Sequence, residues 1–134
     1  MKLRRLLATS AVAAVAAAGL IGSATSANAA AAALTKVWAP LTDPSVHVGV
    51  YSQPYDSASN KVPGILDDTA PGDVQIDCWV SAGQVGTAGD VWYRTWEVYY
   101  PNGKTADSGN QAWWTFAPYV DYAYDFHNHV VPEC

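Results

Sequence analysis

Positive charge is scarce in this chain. Three of its seven Lys and Arg residues are Lys2, Arg4 and Arg5, which leaves four cations facing twelve carboxylates from residue 30 onward, a net near −8. A surface this acidic repels phosphate backbones and anionic lipid, so nucleic acid is excluded as the first partner to consider, and so is a membrane once the leader is removed. Cysteine is limited to Cys78 and Cys134, with no CxxC spacing to suggest a zinc ribbon. After Ile21 no apolar run approaches the roughly twenty residues of a membrane span. From Pro40 onward no ten-residue window keeps the i, i+3, i+4 apolar spacing of a helix without a breaker. Catalytic signatures are also missing. There is no Gly-x-Ser-x-Gly elbow, only three His, and the adjacent pair Asp67-Asp68 points apart on a turn. Neither an enzyme nor a cofactor is expected.

The first residues read as an address. Lys2, Arg4 and Arg5 form a positive n-region, Leu6 to Ile21 an apolar run, and Ala27-Asn28-Ala29 a small-residue cleavage site. This predicts a signal peptide over 1–29, with Ala31 or Ala33 as alternative cuts. The rival, an uncleaved anchor, has an apolar run that is short and Ala-rich. Residues 30–45 read as a flexible leader and 46–134 as one domain, secreted, extracellular or wall-associated, and monomeric. In an oxidising compartment an even cysteine pair is a disulfide by default, so Cys78–Cys134 is expected to pin the C-terminal tail to a strand in mid-domain.

What the domain does contain is aromatic. All six Trp, eight Tyr and two Phe follow residue 29. Val46, Val48 and Val50 alternate with His47 and Gly49. Val74 to Val80 alternates again, with Val74, Ile76, Cys78 and Val80 on one face and Gln75, Asp77 and Trp79 on the other. Val91–Trp96 and Ala112–Phe116 are dense in β-formers, and Tyr119-Val120 is placed at one end of a last short strand. Pro63-Gly64, Pro71-Gly72-Asp73 and Pro101-Asn102-Gly103 are turn signals. The expectation is an all-β fold of five to seven short antiparallel strands.

The order of these pieces resembles a bacterial Src-homology-3-like (SH3b) domain of the kind found in small secreted proteins of Gram-positive type. Val46–Tyr51 followed by a Ser/Pro loop is similar to the family's opening, and Val62, Gly64 and Leu66 match its V-x-G-x-L stretch. Val74–Cys78, Val91–Arg94 and Trp113–Val120 are similar to its later strands. The chain departs from the pattern in its Tyr51-Ser52-Gln53-Pro54 run, in a longer 97–110 link and in a tail, 122–134, without a counterpart. The resemblance implies a small SH3-like barrel that binds rather than catalyses, with a peptide or cell-wall component as partner. It directs attention to an aromatic groove of Tyr51, Tyr55, Trp92, Trp114 and Tyr119. Asp56, Asp67, Asp68 and Asp73 would rim that groove and favour a cationic ligand.

Two other readings remain open. A secreted inhibitor or effector of a foreign protein would use the 97–110 hairpin. A metal site would need an extended tail, which would set Asp125, His127 and His129 on one face with Glu133 near by; no metal is expected.

Overall fold

The computed structural model describes residues 33–65 and 67–134. The expected signal peptide and Leu66 of the V-x-G-x-L stretch lie outside the described residues. Five strands make one antiparallel sheet: β1 (Val37–Pro40), β2 (Asp73–Ser81), β3 (Val91–Tyr99), β4 (Thr105–Asp107) and β5 (Trp113–Phe116). Two short helices follow, α1 (Ala117–Asp121) and α2 (Tyr124–His127).

The long pair β2–β3 is the spine. Its register slips twice, from Gln75↔Glu97 to Ile76↔Thr95 and then to Cys78↔Arg94. Trp96 on β3 and Asp77 on β2 are therefore each one residue in excess of the ladder. Such bulges bend the strands and re-aim side chains. On either side of the bend the outer neighbours differ. β3 pairs with β5 through residues 92–95 and with β4 through 97–99. β2 pairs with β1 through 73–76, and beyond the bend its Trp79 pairs with the C-terminal tail. Trp79 N–H donates to Pro132 O at 3.0 Å and Cys134 N–H to Trp79 O at 2.9 Å. The disulfide Cys78–Cys134 fastens the same spot, with Cα atoms 5.1 Å apart.

The bulges also explain where the sequence alternation fails. Asp77 and Cys78 are both buried there; Trp92 and Tyr93, in regular register, are both buried because each face of β3 is covered, Tyr93 by the core and Trp92 by Tyr51 and Phe116. Asp77 on its bulge meets Arg94, whose Nε and Nη2 each donate to one carboxylate oxygen at 2.8 Å. The core gathers Ala39, Val48, Val50, Val74, Ile76, Tyr93 and Val98, with Val120 and Val131 from the C-terminal part.

Several expectations need correction. The flexible leader of 30–45 contains β1, because Ala39 is apolar, fully buried, and faces the core from an edge strand. Val46–Val50 is held by isolated bridges, Val48↔Asp68 among them, rather than by a continuous ladder. Tyr119-Val120 lies in α1, not in a strand, because Pro118 at the first turn sets a helical φ. The tail is not extended: Asp125 and His127 fall in α2, and His129 follows with φ 55°. The one-face metal geometry therefore does not form, and among the described residues no three His, Cys, Asp or Glu side chains converge.

Both helices are too short to leave a periodic trace, and tertiary contacts hold them. Tyr122 and Ala123 between them take left-handed backbone (φ 56° and 57°), which costs non-glycine residues about 1–2 kcal/mol each. Asp121 offsets this by accepting the N–H groups of Tyr124 and Asp125, both at 3.1 Å, at the start of α2. Among the described residues no helix is long and apolar enough to cross a membrane.

Candidate functional site: an aromatic pocket with a carboxylate

Segment 47–50, the first polar loop (residues 51–60), the 82–90 loop, β3, β5 and α1 meet around a small pocket. Backbone pairing positions its parts. Tyr51 exchanges two hydrogen bonds with Trp114 of β5 (Tyr51 N–H to Trp114 O at 2.9 Å and the reverse at 2.8 Å), which brings the loop beside the sheet. Trp92 pairs with Phe116 across β3–β5. Pro118 then turns the chain into α1, so Tyr119 lies over Phe116.

The result is a continuous run of four rings. Tyr51 stands edge-on to Trp92 at 5.4 Å, Trp92 is tilted against Phe116 at 5.3 Å, and Phe116 meets Tyr119 edge-on at 5.0 Å. These separations lie in the favourable range for aromatic pairs. Together with His47, Val48, Val85 and Asp56 they enclose about 40 Å³. That is room for a few waters or one small head group, not for a drug-sized ligand.

Two glycines make the packing possible. A Cβ on Gly49 would lie 2.9 Å from the Tyr51 ring, so only glycine lets that ring cross the backbone there. A Cβ on Gly83 would overlap Tyr55 Cβ. Gly83 O also accepts the Trp92 indole N–H at 2.8 Å, while Gly83 N–H donates to Pro54 O at 2.9 Å. The 82–90 loop, the first polar loop and the buried indole are thereby tied at one residue.

Polarity enters through Asp56. The Tyr51 hydroxyl donates to Asp56 Oδ1 at 3.0 Å. Burial, and then the Asp56 hydrogen bond and charge, push the Tyr51 phenol up to about 12. The hydroxyl thus stays a donor over the physiological range and holds the carboxylate at the pocket.

Of the five aromatics singled out by sequence, the structure brings Tyr51, Trp92 and Tyr119 together. Trp92 is fully buried and contributes as a wall of the pocket rather than as an exposed platform. Tyr55 is 43% exposed and Trp114 half-buried, and neither lines the pocket. The other expected rim carboxylates lie elsewhere: Asp67 is paired with Lys61 at 2.6 Å, Asp68 is buried, and Asp73 faces outward from β2. Phe116, Gly49 and Gly83 were not anticipated. Phe116 was legible only as a β-former, because its role depends on the cross-strand register with Trp92. No family model, curated protein or solved structure matches the chain.

Proposed function

We propose that this chain is a secreted, non-catalytic binding module built as a small SH3-like barrel, and that it takes a cationic group of a peptide or cell-wall component in the Tyr51–Trp92–Phe116–Tyr119 pocket. The observation that carries this reading is the Asp56 carboxylate held by Tyr51 beside four contiguous rings. An ammonium group gains twice in such a place, from the ring faces and from the negative charge. The size of the pocket favours one head group. The disulfide supports an oxidising compartment. Support for the barrel comes from the bridges beyond β5, where Tyr51 pairs with Trp114 on one side and with Lys61 on the other.

The test is a titration of the protein with lysine-bearing peptides carrying a free amino terminus and, separately, with purified cell wall. Asp56→Asn and Tyr119→Ala are the variants. Binding that weakens with added salt and drops about tenfold in Asp56→Asn is expected, since a charge-assisted contact is worth about 1.5–3 kcal/mol. Salt-independent binding, or equal affinity in Asp56→Asn, would refute the assignment.

A further inference from the structure

A second surface lies on the outward face of the sheet, apart from the aromatic pocket. The register places Trp38, Gln75 and Glu97 in one row across β1, β2 and β3, and Pro40, Asp73 and Tyr99 in the next. Asp107 of β4 extends the first row. The intervening residues Ala39, Val74 and Val98 point into the core, so these rows face outward. Trp38 is 47% exposed and Tyr99 38%, and with Asp73 they line an open cavity of about 200 Å³. The two rows hold three carboxylates and no cation. Of the four cations among the described residues, Lys61 is paired with Asp67, Arg94 with Asp77, Lys36 lies over Trp96 at 4.5 Å, and Lys104 stands in the turn between β3 and β4, outside both rows.

The edge beside this face is open as well. Leu41 N–H donates to Gly72 O at 2.8 Å, one step beyond the β1–β2 register. Hydrogen-bonded and non-hydrogen-bonded pairs alternate along an antiparallel ladder. Val37 and Ala39 therefore turn their backbone groups toward β2, while Trp38 and Pro40 turn theirs away. β1 ends the strand order, so the Trp38 N–H and C=O face no further strand among the described residues; the free stretch is short, because past Pro40 the Thr42 N–H donates to Val120 O of α1 at 2.9 Å.

We propose that β1 and this face bind an extended cationic peptide segment, which pairs with Trp38 along the edge and lays alternate Lys or Arg side chains over Trp38 toward Asp73. Every second side chain of an added strand falls on the same face as Trp38. There it meets an indole that attracts a cation and the carboxylates of Asp73 and Glu97, which form no salt bridge among the described residues. Charge complementarity selects the occupant: the face is acidic and aromatic, and an acidic or neutral strand gains only the backbone bonds. This surface shares no residue with the Asp56 pocket, so either assignment stands or falls without the other.

The test is run in the Asp56→Asn protein, which removes the pocket's carboxylate from competition for lysine side chains, and uses peptides capped at both ends. An acetylated and amidated (Lys-Ser)4 peptide is titrated while backbone amide and indole NMR signals are followed. Shifts at Trp38, Asp73, Gln75 and Tyr99 are expected, with affinity falling at least about fivefold when Trp38→Ala or Asp73→Asn is added to the Asp56→Asn protein. Each variant's amide spectrum reports whether its fold is kept. Shifts confined to the Tyr51–Asp56 region, equal affinity in both surface variants, or equal binding of (Glu-Ser)4, of (Gly-Ser)4 or of a neutral oligosaccharide would overturn the proposal.

Discussion

Tyr93, in the middle of β3, meets Asp121, the last residue of α1, hydroxyl to carboxylate at 3.1 Å inside the core. The same hydroxyl accepts the Phe126 N–H at 3.0 Å. Burial, followed by the charge of Asp121, raises the Tyr93 phenol well above its ordinary value, so it remains a donor. One oxygen thus joins the sheet to both helices. Tyr93→Phe keeps the ring but leaves the Phe126 N–H without its acceptor and Asp121 short of one donor. A loss of about 1–3 kcal/mol is expected, read as a lower denaturant midpoint together with faster hydrogen exchange at Phe126. An unchanged midpoint would show that the helices are held by apolar packing alone.

The Arg94–Asp77 pair is open to a cycle of substitutions. Asp77 is almost fully buried and Arg94 about one quarter exposed, with a two-pronged contact. Removing Arg94 alone strands a buried carboxylate on its bulge. Arg94→Leu should cost about 3–5 kcal/mol, whereas the double variant Arg94→Leu/Asp77→Leu should recover most of that loss. Urea unfolding of the three variants gives the coupling. A double variant as unstable as the sum of the singles would mean that the pair acts independently.

The covalent staple was legible from two cysteines and the expectation of an oxidising compartment, but its structural partner was not. The tail does more than end at a bond: it supplies the outer neighbour that β2 lacks beyond its bulge, through Trp79. With a sequence separation of 56, chain entropy alone assigns the bridge roughly 4 kcal/mol. Reduction, or Cys134→Ser, should lower the melting temperature by on the order of 15–30 °C. The Trp79 and Cys134 amides should lose protection first. If the melting point falls while those amides stay protected, the tail is held by its backbone pairing and not by sulfur.

How far the sequence could be read follows from which signals are local. Val91–Trp96 and Ala112–Phe116 stood out because β-branched and aromatic residues cluster there, and strands form at Val91–Tyr99 and Trp113–Phe116; the Asn102-Gly103 turn signal falls where Gly103 takes a φ of +80°. Trp92 was placed in the candidate site by resemblance, yet its burial depends on Gly83, 9 positions earlier in the chain, and Phe116, 24 positions later. The bulges at Asp77 and Trp96 defeat a period-two reading because an inserted residue leaves no mark in a list of residue types. β1 was hidden by its position next to an Ala-rich segment and by its length of 4 residues. The helices were hidden in the same way, since neither completes the two turns that would make a period visible.

Asp68 gives the clearest dependence on pH. Its side chain is 5% exposed, Oδ1 accepts the Thr69 N–H at 2.9 Å, and Oδ2 has no hydrogen-bond partner. Oδ2 lies against Gly72, where an added Cβ would come within 2.5 Å of it, so neither water nor a side chain intervenes on that side. Burial raises its pKa; the Thr69 bond opposes this, nearby Asp73 adds to it, and His47 opposes it weakly. A carboxyl whose folded pKa exceeds its unfolded value of about 3.9 binds its proton more tightly in the folded chain. Its contribution to stability is complete below the unfolded value and is lost as pH rises through the folded value. Asp68→Asn keeps an acceptor for Thr69 and carries no charge at any pH. It should be more stable than the parent at pH 7, and the advantage should close as pH approaches 4. Asp121 and Asp125, also raised by burial, are common to both proteins and cancel in the difference. Urea midpoints of the two proteins at pH 4 and 7 decide the matter, and a gap that stays constant or widens in acid would show that Asp68 is not ionised at a cost in the folded chain.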